Sequence, residues 1–148
     1  MACVAWGGAR VPAMATDRNG SERPMNGALR SIAMRIHHLA MRTRDLARLR
    51  AFYCDTLGFA AERDDERRVW LRAGDAIVML ERAGDGEPAP PEGSMELTAF
   101  AIDAASRPSI ERRLAERGIA IEARTDYTIY FRDPDGRRVA VSHYPHAP

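Results

Sequence analysis

The strongest constraint on this chain is an internal repeat of about 60 residues, visible in the order of its hydrophobic patterns. Each copy reads as one strand, one amphipathic helix and three further strands, and a Pro- and Gly-rich linker at residues 83–94 separates the copies. Such a repeat indicates two similar supersecondary units. The sequence therefore predicts a single α+β domain at 34–146, built from two tandem βαβββ modules at 34–82 and 95–146.

Module one opens with a short strand that contains three apolar residues, Ile36, Leu39 and Met41. Apolar residues at helical spacing follow from Asp45 to Leu57, where Asp45 is suited to cap the helix and Gly58 to end it. Short runs separated by charged or Gly-Asp turns then predict three strands, at 59–63, 67–72 and 76–81.

Module two repeats this order after the linker. A strand is predicted at 96–102, followed by a helix at 106–117 that turns Ile110 and Leu114 inward and ends at Gly118. The turn sequence Asp-Pro-Asp-Gly at 133–136 separates the last two strands. The three strands of this module are expected at 119–124, 128–132 and 138–143.

Composition restricts the class of protein. Hydrophobic residues make up 45% and charged residues 29%, and the 22 basic and 21 acidic residues nearly cancel to a net charge of +1. This balance argues against nucleic-acid and membrane partners. Residues 1–33 lack strand or helix periodicity, which predicts a disordered tail. The two cysteines lack metal or redox spacing and no secretory signal is evident, so we expect a cytoplasmic protein.

Two stretches resemble a known family. The sequence RIHHLAMRTRDL from Arg35, with AFYCDTLGF at 51–59, resembles the opening strand and helix of vicinal oxygen chelate proteins, the glyoxalase, bleomycin resistance and extradiol dioxygenase superfamily. The sequence YFRDPDGRRV at 130–139 resembles their final hairpin. The resemblance covers roughly residues 34–145. It implies cupped mixed sheets whose concave face binds metal and substrate and whose convex face is covered by helices.

Alternation along each strand then assigns side chains to the two faces. If Leu39 and Met41 lie under the helix, His38, Ala40 and Arg42 face the cavity. The same alternation turns residues of the later strands inward: Ile77, Met79, Glu81, Leu97, Ala99, Arg138, Ala140 and Ser142.

The metal-dependent members of the family place ligands on the first and last strands of each module. In this sequence those four positions correspond to His38, Met79, Leu97 and Ala140, and only His38 is a normal ligand for a divalent ion. A shifted register would bring Glu81 to His38 as a substitute ligand or as an orienting partner. We therefore expect no cofactor, with a divalent metal ion as the alternative.

Several side chains are candidates for the site, and each has a structural alternative. His38 is a remnant ligand, a polar anchor or catalytic base for a bound molecule, or a histidine with a purely structural role. Trp70 is a stacking platform or a core residue, and Tyr130 offers a hydroxyl to a ligand or packs as an aromatic. The carboxylates at 133 and 135 are expected to serve their turn. The complete set expected to bind ligand is His38, Arg42, Trp70, Met79, Leu97, Tyr130 and Ala140.

Three functions follow from these candidates. The first is a binding protein of the glyoxalase and bleomycin resistance type, which holds a small amphipathic or aromatic molecule without a metal. The second is a divalent-metal-dependent lyase, isomerase or dioxygenase. The third is a metal-free enzyme that uses His38 as its base. A homodimer is expected in each case, because half-cups leave sheet edges and apolar surface exposed.

Overall fold

The computed structural model describes residues 14–16, 22–24 and 35–145. Two short strands, β1 (Met14–Thr16) and β2 (Glu22–Pro24), pair in antiparallel fashion and belong to a unit separate from the residues that follow Arg35. Apart from these two strands, the tail at 1–33 that is predicted to be disordered lies outside the described residues. No helix in the described parts of the chain is long and apolar enough to cross a membrane.

Module one forms a four-stranded mixed sheet and one helix. The strands lie in the order first, fourth, third, second, with the first parallel to the fourth and the other pairs antiparallel. The strand bounds are β3 (His38–Thr43), β4 (Ala60–Asp64), β5 (Arg68–Ala73) and β6 (Ala76–Arg82). The predicted order of elements is confirmed, because this is a βαβββ module.

The helix of module one, α1 (Leu46–Ala51), continues directly into a π-helical turn at Phe52–Thr56. The carboxylate of Asp45 accepts a hydrogen bond from the backbone N–H of Arg48 at 3.0 Å, so the predicted cap is present. The chain leaves the helix at Gly58, whose φ of +83° favours glycine. Helical spacing alone does not distinguish the α-helical turns from the wider π turn.

Module two has the same topology in its sheet. Its strands are β7 (Leu97–Ala101), β8 (Ile121–Arg124), β9 (Thr128–Arg132) and β10 (Arg138–Ser142), in the order β7-β10-β9-β8. Its helix, α2 (Arg107–Glu116), follows a 3₁₀ turn at Ala104–Ser106. The helical segment thus begins earlier than predicted, because Asp103 caps the turn through a 2.7 Å bond from the Ser106 N–H.

One hydrophobic core joins the two modules. It combines the helices with one face of each sheet, including Leu49 and Tyr53 from the first helical segment and Leu114 from the second. Aromatic rings connect the modules directly, since Phe52 and Phe131 have ring centroids 6.1 Å apart and Phe59 and Phe100 are 4.9 Å apart. Each sheet therefore has an inner face on the core and an outer face directed away from it.

Candidate functional site

The outer face of the first sheet carries the residues predicted to face a ligand. In β3, Met41 and Thr43 are buried, whereas His38, Ala40 and Arg42 are exposed, as the alternation predicts. The prediction that Leu39 lies under the helix is wrong, because the core contribution of β3 begins at Met41 and leaves Leu39 36% exposed. The strand register places these three residues beside alternate residues of β6: Ile77, Met79 and Glu81. The helix covers the opposite side of the sheet, because Val78 and Leu80 belong to the core.

His38 lies beside the indole of Trp70, with ring centroids 6.1 Å apart. Trp70 pairs with Met79 across the strands, so these three predicted residues share one patch of the outer face. Within the described chain the Trp70 Nε1 atom is buried and has no hydrogen-bond partner. The ring of His37 also turns towards His38, and their Nδ1 atoms are 2.9 Å apart, although strict alternation predicts that adjacent side chains diverge.

The outer face of the second sheet carries the other predicted residues. Ala140 lies between Tyr130 and Ala99 on its neighbouring strands and is fully buried, so its methyl group offers no accessible surface to a ligand. Tyr130 packs under the guanidinium of Arg138, which lies 4.6 Å from the ring centroid. Leu97 remains open, with 43% of its surface exposed.

The four positions that correspond to family metal ligands do not form a metal-binding set. They hold one imidazole, one thioether, one isobutyl group and one methyl group, at His38, Met79, Leu97 and Ala140. Hard or borderline divalent ions need several nitrogen or oxygen ligands in fixed geometry. Among the described residues, no group of three His, Cys, Asp or Glu side chains is arranged to hold an ion. These side chains do not fit the metal that the family implies.

Glu81 does not approach His38 as a substitute ligand, because the strand register pairs His38 with Ile77 and pairs Glu81 with Arg42. The Arg42 Nη1 atom donates a hydrogen bond to Glu81 at 3.2 Å. This interaction commits Glu81 to an ion pair on the outer face.

A cavity of about 530 Å³ lies between β3, β7 and the linker. Its apolar wall comes largely from prolines of the linker, together with Leu97 and Ala40. Its charged groups include the guanidinium groups of Arg42 and Arg138. Of the predicted site residues, only Arg42 and Leu97 line this cavity, so the predicted site is divided between the cavity and the two outer faces.

Arg42 is held by the linker as well as by its own sheet. Its Nε and Nη2 atoms donate to the two carboxylate oxygens of Glu87 at 2.9 and 2.8 Å, in the bidentate geometry that guanidinium and carboxylate groups favour. These bonds raise the pKa of Arg42 above its ordinary value and lower the pKa of Glu87. Glu87 also accepts bonds from the Gly84 N–H at 3.0 Å and, through its carbonyl, from Arg44 at 3.1 Å.

The carboxylate of Asp133 serves its turn as predicted, whereas that of Asp135 accepts bonds from the side chains of Arg137 and, across the fold, of Arg48 on the first helix. The buried Asp133 accepts bonds from the backbone N–H groups of Asp135 and Arg137, each at 2.9 Å. Its other oxygen lies 3.4 Å from the buried hydroxyl of Tyr53. Burial raises the pKa of Asp133 above its ordinary value. This network joins the first helix to the last hairpin, and Arg137 extends it by donating to the carbonyl of Arg42.

Sequence reasoning missed the linker as part of the cavity. The sequence predicts only a connecting role for residues 83–94, yet Glu87 and several prolines of this linker form part of the wall. The sequence feature that could have indicated this role is the acidic Glu87 within a proline-rich connection. It could not identify Arg42 as the partner of Glu87, because the two residues lie 45 positions apart in the sequence.

Solved structures share this fold at low sequence identity. Fosfomycin resistance protein FosX from Mesorhizobium loti is 20% identical, with a TM-score of 0.65 over 77% of this chain and 94% of that one. Lactoylglutathione lyase from Agrobacterium tumefaciens is 24% identical, with a TM-score of 0.58 over 76% of this chain and 95% of that one.

A FosX mutant from Listeria monocytogenes, solved with Mn(II) and dihydroxypropylphosphonic acid, is 14% identical, with a TM-score of 0.65 over 77% of this chain and 95% of that one. At these identities the likeness concerns the fold alone. The sequence has no significant match among curated proteins.

A match to a family profile assigns the chain to a family, which the similarities to solved structures do not. Residues 35–141, which include both βαβββ modules, match the Glyoxalase/Bleomycin resistance protein/Dioxygenase superfamily. The match spans most of the chain. The chain therefore belongs to the glyoxalase, bleomycin resistance and dioxygenase superfamily.

Proposed function

We propose that this chain binds a small amphipathic or aromatic molecule without a metal ion. The observation that carries the proposal is the cavity of about 530 Å³, which combines an apolar wall with the guanidinium of Arg42. Its volume lies within the roughly 300–1,000 Å³ of typical small-molecule sites, which are mostly apolar with a few polar groups that orient the ligand.

The outer faces of the sheets supply additional groups for such a ligand. On the first sheet, the imidazole of His38 and the indole ring of Trp70 lie side by side, with ring centroids 6.1 Å apart. We therefore retain His38, Trp70, Met79 and Tyr130 as proposed contacts for a ligand that extends beyond the cavity. Cytoplasmic localisation and a homodimer belong to the same proposal.

Isothermal titration calorimetry with 2-naphthol, a neutral aromatic probe, tests the binding function. We expect one molecule per chain, with affinity weakened about fivefold by Leu97→Gln because the polar amide replaces an apolar contact worth roughly 1 kcal/mol. Leu39→Gln is the matched control, since Leu39 is similarly exposed on the first strand of the other module but does not line the cavity. Absence of binding, or equal weakening by both changes, would contradict the proposed site.

The alternative function is a divalent-metal-dependent lyase, isomerase or dioxygenase, which the Mn(II) in the FosX relative favours. Titration of the full chain with zinc, nickel, manganese and iron(II) separates the two functions. We expect no stoichiometric binding at micromolar affinity, because the four corresponding positions contain only one ordinary ligand. Tight binding that is lost in His38→Ala would overturn the metal-free proposal and support the alternative.

A further inference from the structure

Each guanidinium group that lines the cavity has a carboxylate partner from the chain. Arg138 lies 3.3 Å from Glu122, and Arg137 lies 3.0 Å from Asp135. Arg42 has two partners, Glu81 at 3.2 Å and Glu87 at 2.8 Å. The charge of the cavity wall is therefore balanced internally, and an anion from solution must compete with one of these carboxylates.

Glu87 differs from the other partners in its place in the fold. Glu81 and Glu122 lie on strands, and Asp135 lies in the tight turn organised by Asp133. Glu87 lies on the linker, outside any helix or strand. Both the backbone and the carboxylate of Glu87 can therefore withdraw from Arg42 without breaking a strand ladder.

The contacts of Glu87 also define what can replace it. Its two oxygens occupy the Nε and Nη2 edge of Arg42, while Glu81 contacts Nη1. Release of Glu87 would free two donors in the planar fork that recognises carboxylate or phosphate oxygens. The adjacent cavity wall would then accommodate an apolar group attached to that anion.

We propose that the linker cavity is an anion-binding site whose resident anion is the carboxylate of Glu87, and that small carboxylate or phosphonate ligands bind there by displacing it. The inference rests on the proposed small-molecule function and adds a charge class for the ligand. It also makes the linker a strap that holds the site closed. The other end of this strap is anchored separately, because the Ser94 carbonyl accepts a 2.7 Å bond from Arg132.

Anion affinity in charge-matched variants tests the displacement. Benzoate and phenylphosphonate serve as probes, with benzyl alcohol as the neutral analogue, and binding is measured by calorimetry on the full chain. Glu87→Gln is expected to strengthen binding of both anions about three- to tenfold, because an internal competitor is weakened. It should leave benzyl alcohol affinity nearly unchanged. Glu92→Gln removes the same charge from the same linker and should have little effect.

Hydrogen exchange supplies a readout that a general change in charge would not produce. The Gly84 amide donates to the Glu87 carboxylate, so its exchange should accelerate when benzoate binds to the wild-type chain. Benzyl alcohol should leave this exchange rate unchanged. In the Glu87→Gln chain the amide should exchange faster even before benzoate is added. Arg42→Leu combined with Glu87→Gln should abolish the gain in anion affinity.

The possible results separate this inference from the proposed function. Equal anion affinity in wild type, Glu87→Gln and Glu92→Gln, or no anion binding to Glu87→Gln, would overturn the displacement proposal. If 2-naphthol still binds through Leu97 in that case, the small-molecule function survives alone. Glu87→Asp provides a second test if the glutamine variant fails to fold. The shorter aspartate side chain keeps the charge but cannot maintain the same two bonds to Arg42. If Glu87→Asp leaves both the Gly84 exchange rate and the anion affinity unchanged, the inference is also overturned.

Discussion

Thr56 is a buried hydroxyl residue whose side chain has no hydrogen-bond partner within the described chain. It is fully inaccessible and lies in the π-helical turn that follows the first helix. A buried polar group without a partner costs roughly 1–3 kcal/mol compared with one that remains hydrated. Burial is therefore not evidence that every atom of a residue contributes favourably to stability.

Replacement of Thr56 by valine tests this cost, because valine has nearly the same shape and lacks the hydroxyl. We expect Thr56→Val to raise the free energy of unfolding by about 1 kcal/mol, as measured by urea denaturation. The control Thr56→Ser keeps the hydroxyl and removes the methyl group, so it should lower stability by about 1 kcal/mol. A lower stability in the valine variant would indicate that the hydroxyl is satisfied in solution.

Asp133 is a residue whose role in a turn was predicted from the sequence, whereas its contact with a distant residue was not. A pair of nearby carboxylates suggests acid–base chemistry, but the sequence context of Pro134 and Gly136 favoured a turn. The structure agrees with the turn, because two backbone N–H groups bond to one oxygen of Asp133. Its link to Tyr53 could not be predicted from local sequence, since the two residues are 80 positions apart.

At the scale of secondary-structure elements, the repeat extends to ion pairs on matching strands. Glu62 and Arg72 are joined by a 2.7 Å contact, and Glu122 and Arg132, 60 positions later, are joined at 2.6 Å. In each module the glutamate lies where the strand register shifts. The bulge places the extra residue beside an arginine of the next strand, so the modules share this local feature as well as their strand order.

These matching pairs differ in their surroundings, which allows a controlled prediction. Glu122 contacts both Arg132 and Arg138 and is less exposed than Glu62. Near pH 7, Glu122→Gln should lower the free energy of unfolding by about 1 kcal/mol, whereas Glu62→Gln should cost at most about half as much. Urea denaturation of both variants measures the difference. Equal losses would show that the second arginine contributes nothing.

The stability loss in Glu122→Gln should depend on pH. The bond from Arg132 lowers the pKa of Glu122 below its ordinary value of 4.5. A lowered pKa in the folded chain gives stability that is present above the unfolded-state pKa and lost as pH falls through the folded-state pKa. The difference in free energy of unfolding between wild type and Glu122→Gln should therefore be largest near neutral pH and shrink below about pH 4.5. Urea denaturation at several pH values measures this difference.

At the scale of the whole molecule, both modules leave the first strand of their sheet unpaired on one side. Within the described chain, β3 pairs only with β6 and β7 pairs only with β10. Large apolar side chains are exposed beside these edges, including Ile36 at 76% and Met95 at 67%. The linker cavity occupies part of both edges, whereas the exposed apolar side chains before each strand are suited to association with a second copy.

We therefore predict a homodimer at micromolar concentration. Sedimentation equilibrium should give twice the 16.5 kDa chain mass. Ile36→Arg should shift the protein towards monomer because it places charge beside an apolar edge. Tyr127→Arg is the control, since Tyr127 is 41% exposed but lies before β9 and packs against His143 and Tyr144. A wild-type mass of about 16.5 kDa would refute the dimer.

The sequence alone determined the two-module order, the first helix cap at Asp45 and the alternation of His38, Ala40 and Arg42. These features depend on side-chain periodicity and local hydrogen bonds, which neighbouring residues specify. The beginning of the second helical segment was predicted less accurately, because the 3₁₀ turn capped by Asp103 precedes the predicted helix at 106–117. Local sequence therefore identified the elements better than their ends.

Only the tertiary structure decided how the candidate site was assembled. It brought Glu87 to Arg42, paired Arg42 with Glu81 and separated Leu97 from the patch around His38 and Trp70. Contacts between residues many positions apart depend on how the sheets and linker pack, and side-chain alternation does not specify that packing. The sequence could assign residues to a face, but the cavity exists only where distant segments meet.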